Sequence, residues 1–160
     1  MICACCLTSE DSSEESYTET APATSIEIDE RTKEGSEYEE LAMVFCSRGE
    51  YAEAREYFEK ALAIKIEIGD SESTAMYYVN LGTVCRFIGE YAEAKEYYEK
   101  ALSIATEIGH KEVEALCYRN LGTVCFFLHK CVEAKEHTEK ALAIRIEIGD
   151  RSGESADYSN

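Results

Sequence analysis

The most reactive side chains of this 160-residue chain lie late in it. Cys125 and His129 stand four apart, a spacing that puts both on one face of a helix, and Cys131 and His137 follow soon after. Thiolate and imidazole are the usual donors to zinc, and as a pair they make a nucleophile and its base. The spacing matches no standard zinc pattern, however, and no glycine-rich phosphate loop or triad-like motif accompanies it. His110, His129 and His137 each stand where neighbouring copies of the same segment carry Asp, Gly or Tyr. The expectation is a chain that is not an enzyme and holds no metal or cofactor.

Those copies are the dominant feature of the sequence. GEYAEAKEYYEKALSIATEIGH (89–110) is preceded 40 residues earlier by GEYAEAREYFEKALAIKIEIGD (49–70). It is followed 40 residues later by HKCVEAKEHTEKALAIRIEIGD (129–150), and YVNLGTVCRFIGE (78–90) is likewise matched by YRNLGTVCFFLHK (118–130). A fixed period of this size marks a repeat array, in which each unit buries its apolar face against its neighbours. Helical periodicity predicts two helices per unit: about Gly35–Ser47 and Tyr51–Ile68, then about 72–87 and 91–108, then about 112–127 and 131–148. Ala61/Ala101/Ala141, Ile64/Ile104/Ile144 and Ile68/Ile108/Ile148 should form one continuous buried face. On the solvated side, Glu56–Lys60 and Glu96–Lys100 are placed to pair across one turn. Gly69, Gly109 and Gly149 suit left-handed helix ends, Asp70 or Ser71 can cap the next helix, and His129 takes a turn position held by Gly49 and Gly89 upstream.

The array is expected to occupy residues 32–160, as units 32–70, 71–110 and 111–150 with a partial fourth at 151–160. Residues 21–31 read as the remnant of a degenerate repeat helix, with Pro22 where Leu62 sits one period later, and residues 1–20 as a disordered Ser/Glu-rich segment. Tyr158 and Asn160 match Tyr78 and Asn80, so the sequence reads as a fragment of a longer array, with uncapped ends that could self-associate. A net charge of −17 argues against a nucleic-acid partner. The eight cysteines include Cys85 and Cys125 inside apolar helical runs, where they serve as small apolar residues, which favours a reducing, cytoplasmic setting. No apolar run reaches transmembrane length. Cys3, Cys5 and Cys6 could carry acyl chains.

The helix pairs resemble the tetratricopeptide repeat. Tyr78, Leu81-Gly82 and Cys85, then Ala94, Tyr98 and Ala101, hold the motif positions of the second unit. Tyr118, Leu121-Gly122 and Cys125, then Ala134, Thr138 and Ala141, hold those of the third; Tyr38, Leu41-Ala42, Phe45, Ala54, Phe58 and Ala61 those of the first. Cys twice replaces an aromatic of the first helix, and Thr138 replaces one of the second. The 40-residue period is similar to that of G-protein-signalling modulators of the LGN/Pins type and of arrays such as tetratricopeptide repeat protein 28. The resemblance implies an all-α, right-handed superhelix of antiparallel helix pairs, acting as a protein-interaction scaffold that binds a partner peptide or helix in its concave groove. By that geometry the groove residues would be Asn80, Thr83, Arg86 and Phe87 in the second unit. In the third they would be Arg119, Asn120, Thr123 and Phe127. Met76 and Val79 of the second unit and Leu116 and Phe126 of the third would line the groove too, with Ser36, Glu39, Glu40, Met43 and Ser47 in the first unit. Asn80, Asn120 and Asn160 recur at the repeat period, and an amide both donates to and accepts from a peptide backbone.

Overall fold

A computed structural model describes residues 25–149 of the chain. Six helices follow one another: α1 (Ser25–Arg48), α2 (Tyr51–Glu67), α3 (Ser71–Ile88), α4 (Tyr91–Ile108), α5 (Lys111–Phe127) and α6 (Cys131–Ile148). Each packs on the next, and α3 also touches α5. The result is an all-α solenoid of three helix pairs. The segment 1–20, residues 21–24 of the remnant, the partial fourth unit from 151 onward, and Cys3, Cys5 and Cys6 lie outside the described residues.

The turns repeat one backbone device. The amides of Glu50, Glu90 and Lys130 reach back five residues to the carbonyls of Phe45, Cys85 and Cys125, at 3.0, 2.9 and 2.8 Å. Asp70 and His110 do the same to Lys65 and Ala105. This closure needs a left-handed residue just before the donor. Gly89 provides it at φ 96°, and His129 adopts it at φ 60° without losing the bond. Asp70 then caps α3 through the Ser73 amide at 3.0 Å. The Ser73 hydroxyl, 2.6 Å away, is the main reason the Asp70 carboxyl sits below its ordinary pKa.

Three sequence expectations are revised. The first helix starts at Ser25, ten residues before Gly35, because Asp29 stands where the pattern has Gly69 and nothing releases the helix into a turn. Lys60 and Lys100 leave Glu56 and Glu96 and sit over the Tyr57 and Tyr97 rings, at 4.7 and 5.3 Å from the centroids. An ammonium above an aromatic face gains a cation–π attraction at least as large as that of a solvated i,i+4 pair. Finally, the continuous apolar face holds for Ala61, Ala101 and Ala141, which are fully buried, whereas Ile108 at the end of α4 is exposed.

Two buried clusters stack along the axis. One joins Ala54, Phe58 and Ala61 of α2 to Tyr77, Leu81 and Val84 of α3. The other joins Ala94, Tyr98 and Ala101 of α4 to Cys117, Leu121 and Val124 of α5. An ionic ladder binds the pairs on the outside. Arg55 holds Glu59 on its own helix and Glu90 and Glu93 beyond it; Lys95 holds Glu99 and, in the next repeat, Glu133.

Candidate functional site

On α3, residues 80, 83, 86 and 87 fall within two turns of one helix face. Asn80, Thr83 and Phe87 line a cleft of ≈ 300 Å³ with Met43 and Cys46 of α1 and Tyr51 and Phe58 of α2. Two repeats further, where Thr123, Phe126, Cys131 and Thr138 take the places of Met43, Cys46, Tyr51 and Phe58, α5 and α6 line a larger cleft of ≈ 560 Å³ that also includes Phe127. The two clefts occupy equivalent places in the repeat. Arg86, Arg119 and Asn120 are half-buried beside this line and belong to neither cleft.

The polar groups differ in how they are committed. Thr83 Oγ1 donates to the Val79 carbonyl at 2.9 Å and meets the Tyr98 hydroxyl at 3.1 Å. Thr123 Oγ1 donates to the Arg119 carbonyl at 3.1 Å. Among the described residues, the side-chain amides of Asn80 and Asn120 have no hydrogen-bond partner. Arg86 and Arg119 likewise have no ion-pair partner there, although acidic residues outnumber basic ones two to one in the chain. The Arg86 guanidinium lies over the Phe87 ring at 4.6 Å, and its Nε is buried without an acceptor. Phe87 and Phe127 are held by stacking on Tyr51 and Tyr91, at 5.0 and 4.8 Å. The aromatic walls are thus stacked on the second helices, Arg86 is engaged by Tyr98 and Phe87, and the Asn80 and Asn120 amides and the Arg119 guanidinium are left without a partner among the described residues.

Val79, expected in the groove, is instead a core residue packed with Cys117 and Leu121. One residue step turns a side chain by about 100° on a helix, from the Asn80 face to the neighbouring repeat. Glu39 is also engaged, accepting from the Tyr77 hydroxyl at 2.7 Å. The residues missed in the sequence are on the second helices: Tyr51 and Phe58 in one cleft, Cys131 and Thr138 in the other. For Cys131 and Thr138 the signal is the loss of two aromatics from the third repeat.

The Cys and His residues are dispersed by the fold. Cys125 is buried with its Sγ 3.8 Å from Glu133, while His129 forms the turn and Cys131 is exposed. His137 stacks on Tyr118, and burial, helped by Lys140, keeps its pKa below the ordinary value. Among the described residues, only Cys85, Glu90 and Glu93 bring three metal-type donors together, and Arg55 already binds both carboxylates. Burial pushes the Cys85 thiol up to about 11 and the Cys117 thiol up to about 12. A thiol rather than a thiolate reacts slowly. Alkylation of the folded protein, read site by site by mass spectrometry, is expected to label Cys131 quickly and to spare Cys85 and Cys117 until unfolding. Equal labelling of Cys117 and Cys131 would contradict this packing.

A family model described as tetratricopeptide repeat matches residues 36–107 and 84–147. The chain belongs to the tetratricopeptide repeat family. Arrays of this family are typically protein-interaction scaffolds and generally non-catalytic. No curated protein matches the sequence significantly. Among solved structures, BtubC from P. vanneervenii is 28% identical with a TM-score of 0.65, covering 71% of this chain and 46% of BtubC. This tetratricopeptide array thus spans just under half the length of that relative. The sensor-bearing STAND signal transduction ATPase of Pyrococcus horikoshii superposes at TM-score 0.76 and 25% identity, over 81% of this chain and 20% of the ATPase. The tetratricopeptide domain of Arabidopsis FLU superposes at 0.69 and 19% identity, over 74% of this chain and 98% of that domain, a likeness of fold alone. Among the described residues, no helix is long and apolar enough to cross a membrane.

Proposed function

We propose that this array is a scaffold that binds an extended or helical segment of a partner protein along α1, α3 and α5. Asn80 and Asn120 hydrogen-bond the segment's backbone, and Arg86 and Arg119 meet its carboxylates. The observation that supports this reading is the pair of period-related amides without a partner among the described residues, with the Arg119 guanidinium beside them also lacking an ion-pair partner there. Amides serving to hold helices together would be bonded across the repeat. The five described free thiols suit a reducing compartment such as the cytoplasm.

Replacing both Asn80 and Asn120 by Ala is expected to weaken binding of a captured partner about tenfold, as loss of two hydrogen bonds of modest net value implies. Helicity and melting should stay unchanged, and Glu96→Ala on the exposed outer side should bind normally. Calorimetric titration of the partner recovered by pull-down provides the measurement. Parental affinity in the double variant overturns the groove reading, and so does its unfolding.

A second reading is self-association through the array ends. Leu41 and Val44 of α1 are 42% and 44% exposed, whereas their period equivalents Leu81, Val84, Leu121 and Val124 are buried. Light scattering of the full chain over a concentration series distinguishes a monomer from a stacking oligomer.

A further inference from the structure

The third repeat lacks a ring that the first two contain. Phe58 and Tyr98 occupy equivalent positions on α2 and α4, and both are fully buried. The Tyr98 ring lies so close to Gly82 that an added Cβ there would come within 2.7 Å of Cε1. Its hydroxyl meets Thr83 Oγ1 at 3.1 Å. In the third repeat the receiving groups are kept as Gly122 and Thr123, but the ring position is held by Thr138, which turns its hydroxyl to its own Ala134 carbonyl at 2.9 Å. Cys131 likewise stands where Tyr51 and Tyr91 stack on Phe87 and Phe127. The vacated space is the ≈ 560 Å³ cleft, floored by Gly122, Thr123 and Thr138 and lipped by Phe126 and Phe127, both exposed.

Charge narrows what fits. Arg55 and Lys95 each bond a glutamate on their own helix and another 38 residues on. Lys135 holds the third place in this ladder and lines the cleft together with Glu139 of its own helix, which is its only partner among the described residues, at 3.7 Å, so the inter-repeat carboxylate that Arg55 and Lys95 have is missing there. A carboxylate supplied from outside would complete the pattern. The Thr123 hydroxyl proton is already given to the Arg119 carbonyl, so its lone pairs are left to accept from a phenol.

We infer that this cleft receives a tyrosine side chain of a partner polypeptide, with an acidic residue next to the tyrosine pairing with Lys135. The inference extends the groove reading to the groove's C-terminal end, but Gly122, Thr138, Cys131 and Lys135 are not among the groove residues, so the two can fail separately.

The test uses the full chain and defined probes, followed by amide chemical shifts. 4-Methylphenol is expected to shift Gly122, Thr123 and Thr138 while leaving Gly82 and Tyr98 unmoved. Toluene, which cannot donate to Thr123, should bind about fivefold more weakly, the worth of one ordinary hydrogen bond. Acetyl-Asp-Tyr-amide should bind more tightly than 4-methylphenol. Lys135→Glu should abolish that advantage without altering 4-methylphenol binding. Thr138→Tyr should restore the ring within the chain, raise the melting temperature and eliminate all three probes' shifts. Asn80→Ala with Asn120→Ala should leave 4-methylphenol binding intact, which separates failure of the groove from failure of the socket. The inference is overturned if 4-methylphenol moves none of the three signals, or moves them equally in Thr138→Tyr. It is also overturned if binding emerges only after Tyr158→Ala, which would make the occupant the chain's own tyrosine.

Discussion

Tyr98→Ala is expected to lower the stability of the array by about 3–5 kcal/mol, the range for deleting a buried aromatic side chain. Tyr98 is the largest fully buried side chain of the described residues. Its ring is seated on Gly82 of α3, its hydroxyl meets Thr83, and its cluster includes Cys117, Leu121 and Val124 of α5. It therefore joins its own repeat to the next. Removing it opens a cavity between three helices and leaves the Thr83 hydroxyl without that contact. Because an array is coupled through nearest-neighbour interfaces, the loss should also uncouple the third repeat from the first two. Urea denaturation should show an earlier, broader transition, or two. Thr138→Ala at the equivalent place in the third repeat should lower stability by less than about 1 kcal/mol, since no ring is lost there. A Tyr98→Ala midpoint close to the parent's would overturn the assigned inter-repeat packing.

Gly82→Leu should be nearly as damaging, at about 3 kcal/mol, the upper end for overpacking a close-packed core. Even the first carbon is too large: a Cβ at position 82 would lie 2.7, 2.9 and 3.0 Å from three atoms of the Tyr98 ring. That ring is fully enclosed and cannot swing aside, so α3 and α4 must separate. Gly122→Ala provides the contrast. Its Cβ would meet Thr138 Oγ1 at 2.7 Å and the Ala134 carbonyl at 3.2 Å. A hydroxyl can rotate away, and the carbonyl needs only a small shift. The same substitution should thus be milder in the third repeat than Gly82→Ala in the second. Thermal melts of the two alanine variants suffice; equal losses would mean that the clash with the ring is not what makes Gly82 necessary.

Much of this molecule was legible in one dimension because a repeat fold is built from local rules applied periodically. The 40-residue spacing, the alanine stripe of the second helices and the glycines at the turns follow from helix geometry and nearest-neighbour burial. These features determine the all-α class and five of the six helices to within a residue or two. The sixth, α1, departed because a single residue, Asp29 in place of glycine, removes the turn and lets the helix run on.

The sequence determined which residues recur; packing decided what each recurrence does. Asn80 and Val79 are adjacent, yet one lines a cleft and the other is buried against α5. Lys60 and Lys100 had glutamates one turn away and took aromatic faces instead. Cys131 and Thr138 read as small departures from a pattern, and only the stacked helices show that together they border an open cleft between Gly122 and Lys135. The physical reason is common to all three. Periodicity specifies a helix face to about one residue, while contact, charge pairing and empty volume depend on which side chains of another repeat meet that face.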